Sequence, residues 1–136
     1  MPADADNKIT LIPDGKSFEA VRRFGDDLAK QLSCIPKAAN RVSVAIDEIY
    51  SNIVKYSGAD MAEIEYKIAD GKVYIMFADN GAEYNPLAAK EPDITLSAEG
   101  RKIGGLGIFV VRKLTEDMEY KYEGNKNILK LAIALE

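Results

Sequence analysis

Two tight-turn signals constrain this chain more than any other feature. Asp70-Gly71 separates Ala62-Glu63-Ile64-Glu65-Tyr66-Lys67-Ile68, which alternates apolar and polar residues, from the more uniformly apolar Lys72-Val73-Tyr74-Ile75-Met76-Phe77-Ala78. Glu123-Gly124-Asn125 stands in the same way between Met118–Tyr122 and Asn127–Ile133. Turn residues between two β-patterned runs predict antiparallel hairpins. A further short strand, Lys8–Pro13, is closed by the Pro13-Asp14-Gly15 turn. The remaining periodic segments are helical. Ser17 reads as the cap of a helix whose apolar face (Phe18, Val21, Phe24, Leu28, Ala29, Leu32) ends near Ser33. Pro36 suits the first turn of a second helix running to about Tyr56 and ended by Gly58-Ala59-Asp60. A third spans about Gly105 to Leu114. Hairpins and helices in this arrangement predict an α/β (α+β) two-layer sandwich.

The chain of 136 residues is read as one domain, 1–136, large enough to bury a sizeable core. No apolar stretch approaches the ~18 residues of a membrane span, and the N-terminus lacks the basic start of a signal peptide. The expectation is a cytoplasmic protein with no membrane contact. Eighteen basic residues against 22 acidic ones give a net charge of −4, which argues against direct nucleic-acid binding. Histidine is absent, so a Ser-His-Asp triad and His-ligated metals are excluded. Any general base must be a carboxylate or a lysine. The single cysteine, Cys34, excludes an internal disulfide and a Cys-based zinc cluster.

Three local patterns carry possible chemistry. In the second helix, Val42, Ala45, Ile46, Ile49 and Ile53 form a core stripe, and Glu48, Asn52 and Lys55 lie on a neighbouring one. Glu48 and Asn52, four apart, could hold a hydrated Mg²⁺ and orient a reacting hydroxyl; the same pair could also be an ordinary solvated face. Asp79-Asn80-Gly81 ends an apolar strand. It offers a carboxylate for an exocyclic amino group and a glycine against which a flat ring can lie, or it is a plain strand-ending turn. Gly104-Gly105-Leu106-Gly107 opens the apolar helix Ile108–Leu114. The N–H groups and positive dipole end of a helix start suit a phosphate, although tight packing at a helix entry accounts for glycines equally well. No Gly-x-x-x-x-Gly-Lys-Ser/Thr loop occurs. The stretch from Asn80 to Ile103 fits no element and reads either as a lid or as a surface excursion.

Taken in order, these form a series: Glu-x-x-x-Asn on a helix, Asp-x-Gly at a strand end, a long loop, and Gly-x-Gly opening a helix. In this series the chain resembles the Bergerat-fold (GHKL) ATPase superfamily of DNA gyrase, heat-shock chaperones, MutL and histidine kinases. The likeness extends from about Lys8 to Leu135. As a stand-alone ATP-binding domain with the stretch Ile103–Leu114, it most resembles the anti-sigma-factor serine/threonine kinases of bacterial partner-switching systems. The resemblance implies a mixed, largely antiparallel sheet with three helices on one face. It implies ATP and Mg²⁺ as cofactors, Asn52 as the Mg²⁺ ligand and Glu48 as the general base. Asp79 and Gly81 would meet the adenine, and Lys55, on the stripe of Glu48 and Asn52, would also belong to the cofactor-binding residues. Gly104, Gly105, Leu106, Gly107 and Ile108 would line the phosphates, and residues of about 83–102 would form the ATP lid. It further implies a protein kinase acting on a STAS-type anti-anti-sigma protein, a sigma factor or analogous target as second partner, and a possible homodimer. A non-catalytic, nucleotide-dependent binding module of the same fold is the alternative. Glu83 departs from the family's second glycine in Asp-x-Gly-x-Gly, and Tyr56 from a frequent histidine.

Overall fold

The computed structural model describes residues 7–88 and 105–135. Among them run β1 (Lys8–Leu11), α1 (Phe18–Gln31), α2 (Pro36–Asn52) with a π-helical turn (Ile53–Ser57), β2 (Ala62–Ala69) and β3 (Lys72–Asp79). A 3-10 turn (Pro86–Ala88), α3 (Gly105–Leu114), β4 (Asp117–Glu123) and β5 (Lys126–Ala134) complete them. Both hairpins form as expected. Asp70 and Gly71 take φ of 53° and 75°, and Gly124 and Asn125 take 59° and 62°. Two positive φ values in a row suit the twist of the flanking strands.

The strand order is β1-β2-β3-β5-β4, and every neighbouring pair is antiparallel. The expected mixed sheet is corrected in this respect. Two consecutive helices, α1 and α2, return the chain to the end where β1 stopped, so β2 runs against β1. The single helix α3 makes β4 point the same way as β3, but β5 is inserted between them. No parallel pair is in contact among the described strands.

All three helices share one core with one sheet face. Leu28, Ile46 and Val111 from the helices are buried with Ile64, Ile75 and Leu131 from the strands. Each such side chain contributes about 1.5–3 kcal/mol. The alternate strand positions Glu63, Glu65, Lys67, Tyr74 and Lys130 are half-buried or exposed, as alternation across a one-sided sheet requires.

Ser17 stands at the start of α1 without capping it through its side chain. Asp14 instead accepts the amides of Lys16 at 2.9 Å and Ser17 at 3.1 Å through Oδ1. The Ser17 hydroxyl donates to the Asp14 carbonyl at 2.6 Å and accepts a short hydrogen bond from Tyr50. Gly58, with φ of 64°, ends the second helical segment in the left-handed conformation that glycine supplies most readily.

Candidate functional site

The last residue of β3, Asp79, is 7% exposed and pairs in register with Asn127 of β5. Its Oδ1 accepts the Gly81 amide at 2.9 Å and Asn127 Nδ2 at 3.1 Å. Oδ2 accepts no hydrogen bond among the described residues. Asn127 Nδ2 also donates to the Ala82 carbonyl at 2.9 Å and more weakly to that of Gly81 at 3.5 Å. Asn127 Oδ1 accepts the Tyr84 amide at 2.9 Å and the Tyr120 hydroxyl at 2.5 Å. Burial pushes the Tyr120 hydroxyl above its ordinary pKa. Asn127 was missed among the expected site residues. One signal was available: it shares the inward phase of Leu129, Leu131 and Ile133, where an amide needs partners.

The helical wall comes from the end of α2. Asn52 is its last α-helical residue, and the π-helical turn follows at once, a distortion common beside functional sites. The turn carries Ser57 into the cleft. The Ser57 hydroxyl donates to the Ile53 carbonyl at 2.8 Å and accepts the Ala59 amide at 3.1 Å, while its own carbonyl accepts the Ala82 amide at 3.1 Å. A Cβ on Gly81 would overlap that carbonyl, so the close approach demands glycine. Asn52, Ser57, Asp79, Ile108 and Asn127 together line one cleft.

Glu48 does not line that cleft. It lies one turn before Asn52, and its carboxylate sits against Gly107, where a Cβ would collide with Oε2. Gly107 is thus the point at which α3 closes on α2, and it brings the Glu48 carboxylate to the opening turns of α3. Lys55 is exposed and is not brought to the cleft, because the wider π turn breaks the helical phase that placed it beside Asn52. Gly104 and residues 89–102 of the expected lid lie outside the described residues. For Gly105 and Leu106 only the helical backbone is described. The first part of the expected lid is ordered. The Tyr84 amide is held by Asn127, Pro86 opens the 3-10 turn, and Arg112 of α3 donates to the Leu87 carbonyl at 2.5 Å. Glu83 is exposed between these contacts.

Among the described residues no three His, Cys, Asp or Glu side chains cluster to cage a metal. The oxygens on offer, the Asn52 carboxamide and the Glu48 carboxylate, suit a Mg²⁺ that takes its other ligands from water and phosphate. No helix among the described residues is long and apolar enough to cross a membrane.

Residues 13–133 match a family model described as the histidine kinase-like ATPase domain. The serine-protein kinase RsbW of Listeria monocytogenes serotype 4a (strain HCC23) is 27% identical over 133 residues, covering 90% of this chain and 85% of that protein. Its namesake from Listeria innocua serovar 6a is 26% identical with the same coverage. The solved structure of Acinetobacter baumannii histidine kinase AdeS aligns with a TM-score of 0.55 at 14% identity, over 95% of this chain and 68% of that one. That likeness shows a common fold. With a family model matched over residues 13–133, the chain belongs to the histidine kinase-like ATPase domain family.

Proposed function

We propose that this chain is a cytoplasmic protein serine/threonine kinase that binds ATP in the cleft and phosphorylates a STAS-type anti-anti-sigma protein. A sigma factor or analogous regulator is its second partner. One observation carries the reading: the Glu48 carboxylate abuts Gly107 on α3, one helical turn from Asn52 in the cleft that also holds Asp79. The base then stands one helical turn before the metal-binding carboxamide, which lines the same cleft as the adenine-binding carboxylate. The similarity to proteins named serine-protein kinase supports the same reading.

Asp79 Oδ2 accepts the exocyclic amino group of adenine, with Gly81 leaving room for the ring. The backbone amides of Gly105 and Gly107 and the dipole of α3 stabilise the phosphate oxygens. Asn52 would hold a Mg²⁺, which when bound would neutralise charge on the phosphate oxygens. Glu48 accepts the proton of the substrate hydroxyl as its oxygen bonds to the γ-phosphorus and the bond to ADP breaks. The product gains about two negative charges, which expel it from the interface and free the kinase for its other partner.

The test is incubation with a STAS-domain protein and labelled ATP, read by mass spectrometry. Glu48→Gln is expected to bind ATP as before and to lose transfer by about 10²-fold or more. Transfer by that variant at the normal rate overturns the base assignment. Tight ATP binding by the unaltered protein with no phosphorylated product leaves a nucleotide-dependent binding module in place of a kinase.

A further inference from the structure

We infer that Asn127 is a positioning residue that sets the base specificity of the cleft without touching the base. The inference rests on the ATP-binding reading above. A carboxamide has two amide hydrogens and two acceptor lone pairs. In Asn127 all of them are taken. Nδ2 serves Asp79 Oδ1 at 3.1 Å, the Ala82 carbonyl at 2.9 Å and, weakly, the Gly81 carbonyl at 3.5 Å. Oδ1 receives the Tyr84 amide at 2.9 Å and the Tyr120 hydroxyl at 2.5 Å. The amide cannot be turned over, because its oxygen would then face a carboxylate and two carbonyls while its NH₂ met the Tyr84 amide, itself a donor. Nothing is left on Asn127 for a ligand.

The backbone amides and hydroxyls packed directly around Asp79 and Asn127 are committed in the same way. The Gly81 amide goes to Asp79, the Tyr84 amide and Tyr120 hydroxyl to Asn127, the Ala82 amide to the Ser57 carbonyl, and the Ser57 hydroxyl to the Ile53 carbonyl. Beside these committed groups stands an acceptor, Asp79 Oδ2, on a carboxylate whose other oxygen is pinned from two directions. Such a floor accepts a purine that presents an amino group and rejects one that presents a carbonyl at the same place, since that oxygen would meet a carboxylate with no donor between them. Asn127 does two things here. It holds the Asp79 carboxylate against rotation, and it keeps the Tyr84 amide from becoming a free donor that could greet a carbonyl.

Calorimetric affinities for ATP and GTP test this, on the unaltered protein, Asn127→Ala and Asn127→Thr, with circular dichroism melts to establish folding. The unaltered protein is expected to prefer ATP. In Asn127→Ala that preference should fall about tenfold, the worth of one hydrogen bond to a charged group. Asn127→Thr, which offers one hydroxyl and a β-compatible shape, should fall less and supplies the answer if the alanine variant does not fold. Equal weakening of both nucleotides in the folded variants, with the ratio kept, makes Asn127 merely structural and overturns the inference while ATP binding stands. Failure of the unaltered protein to bind ATP overturns the functional reading itself, and this inference with it.

Discussion

Replacing Gly107 with alanine should separate the stability of this protein from its activity. Gly107 lies in the third position of α3, where alanine is favoured over glycine by about 1 kcal/mol because it loses less backbone entropy. Against this gain stands the collision of the new methyl with the Glu48 carboxylate. Only Oε2 is in real conflict; Cδ would be 3.3 Å away and Cβ 3.9 Å. The obstacle is therefore the far end of a flexible side chain, which a rotation costing about 0.5–1.5 kcal/mol removes. The two terms nearly cancel, and the melting temperature should stay within about 4 °C of the unaltered protein. The carboxylate, however, must move on the order of 1 Å, a misplacement that can cost about 10²-fold in rate. Thermal denaturation, ATP calorimetry and phosphotransfer together decide the matter. A variant that melts normally and transfers phosphate at the full rate refutes the placement of Glu48 as base. A variant that binds ATP far more weakly shows instead that phosphate needs bare backbone at Gly107.

Three other outcomes follow from the geometry. Gly81→Ala meets the backbone carbonyl of Ser57, which cannot rotate away; it should lower stability by about 1–3 kcal/mol and weaken nucleotide binding, and unchanged melting and affinity would contradict the close approach. Asn52→Ala should abolish most of the Mg²⁺ dependence of ATP affinity, and calorimetry with and without Mg²⁺ that matches the unaltered protein would remove its metal role. Tyr50 is fully buried, and that burial raises its hydroxyl pKa. The folded state thus favours the neutral phenol: the contribution is complete below about pH 10, the unfolded value, and is lost as pH rises through the higher folded value. Denaturant titrations from pH 8 to 11 should show the unaltered protein weakening more steeply than Tyr50→Phe, which at neutral pH costs about 1 kcal/mol for the lost bond to Ser17.

Much of the fold was legible because local chemistry and tertiary packing agree. Asp70-Gly71 and Gly124-Asn125 turn where a positive φ is needed, and α3 runs from Gly105 to Leu114 as its apolar pattern predicts. Disagreement arose where a partner distant in sequence decides. Ser17 has the right chemistry for a cap, but its hydroxyl is drawn away to the Asp14 carbonyl and to Tyr50, which lies 33 residues on. Lys55 leaves the Asn52 stripe because an ideal 100° step fails where the helix widens to a π turn. In the site, Asp79 and Gly81 were visible as a strand-end pair. Asn127 was not: it follows a turn and looks ordinary until β5 is laid beside β3 and its amide faces Asp79. Residues 81–88 looked shapeless because their order is borrowed, from Asn127 at Tyr84 and from Arg112 at Leu87.

The way α2 ends has an electrical consequence. The carbonyl of Ser57, at the end of the π-helical turn that prolongs α2, brings its partial negative charge to the Asp79 end of the cleft, where Gly81 and Ala82 pack on it. Near Glu48, about 13 Å back along the helix at 1.5 Å per residue, the start of α3 contributes the opposite pole. The groove is thereby polarised from end to end by main chain alone. A ligand with a donor-bearing head and an anionic tail enters with its own polarity matched in one direction and opposed in the other, so backbone architecture selects its orientation before any side chain reads its identity.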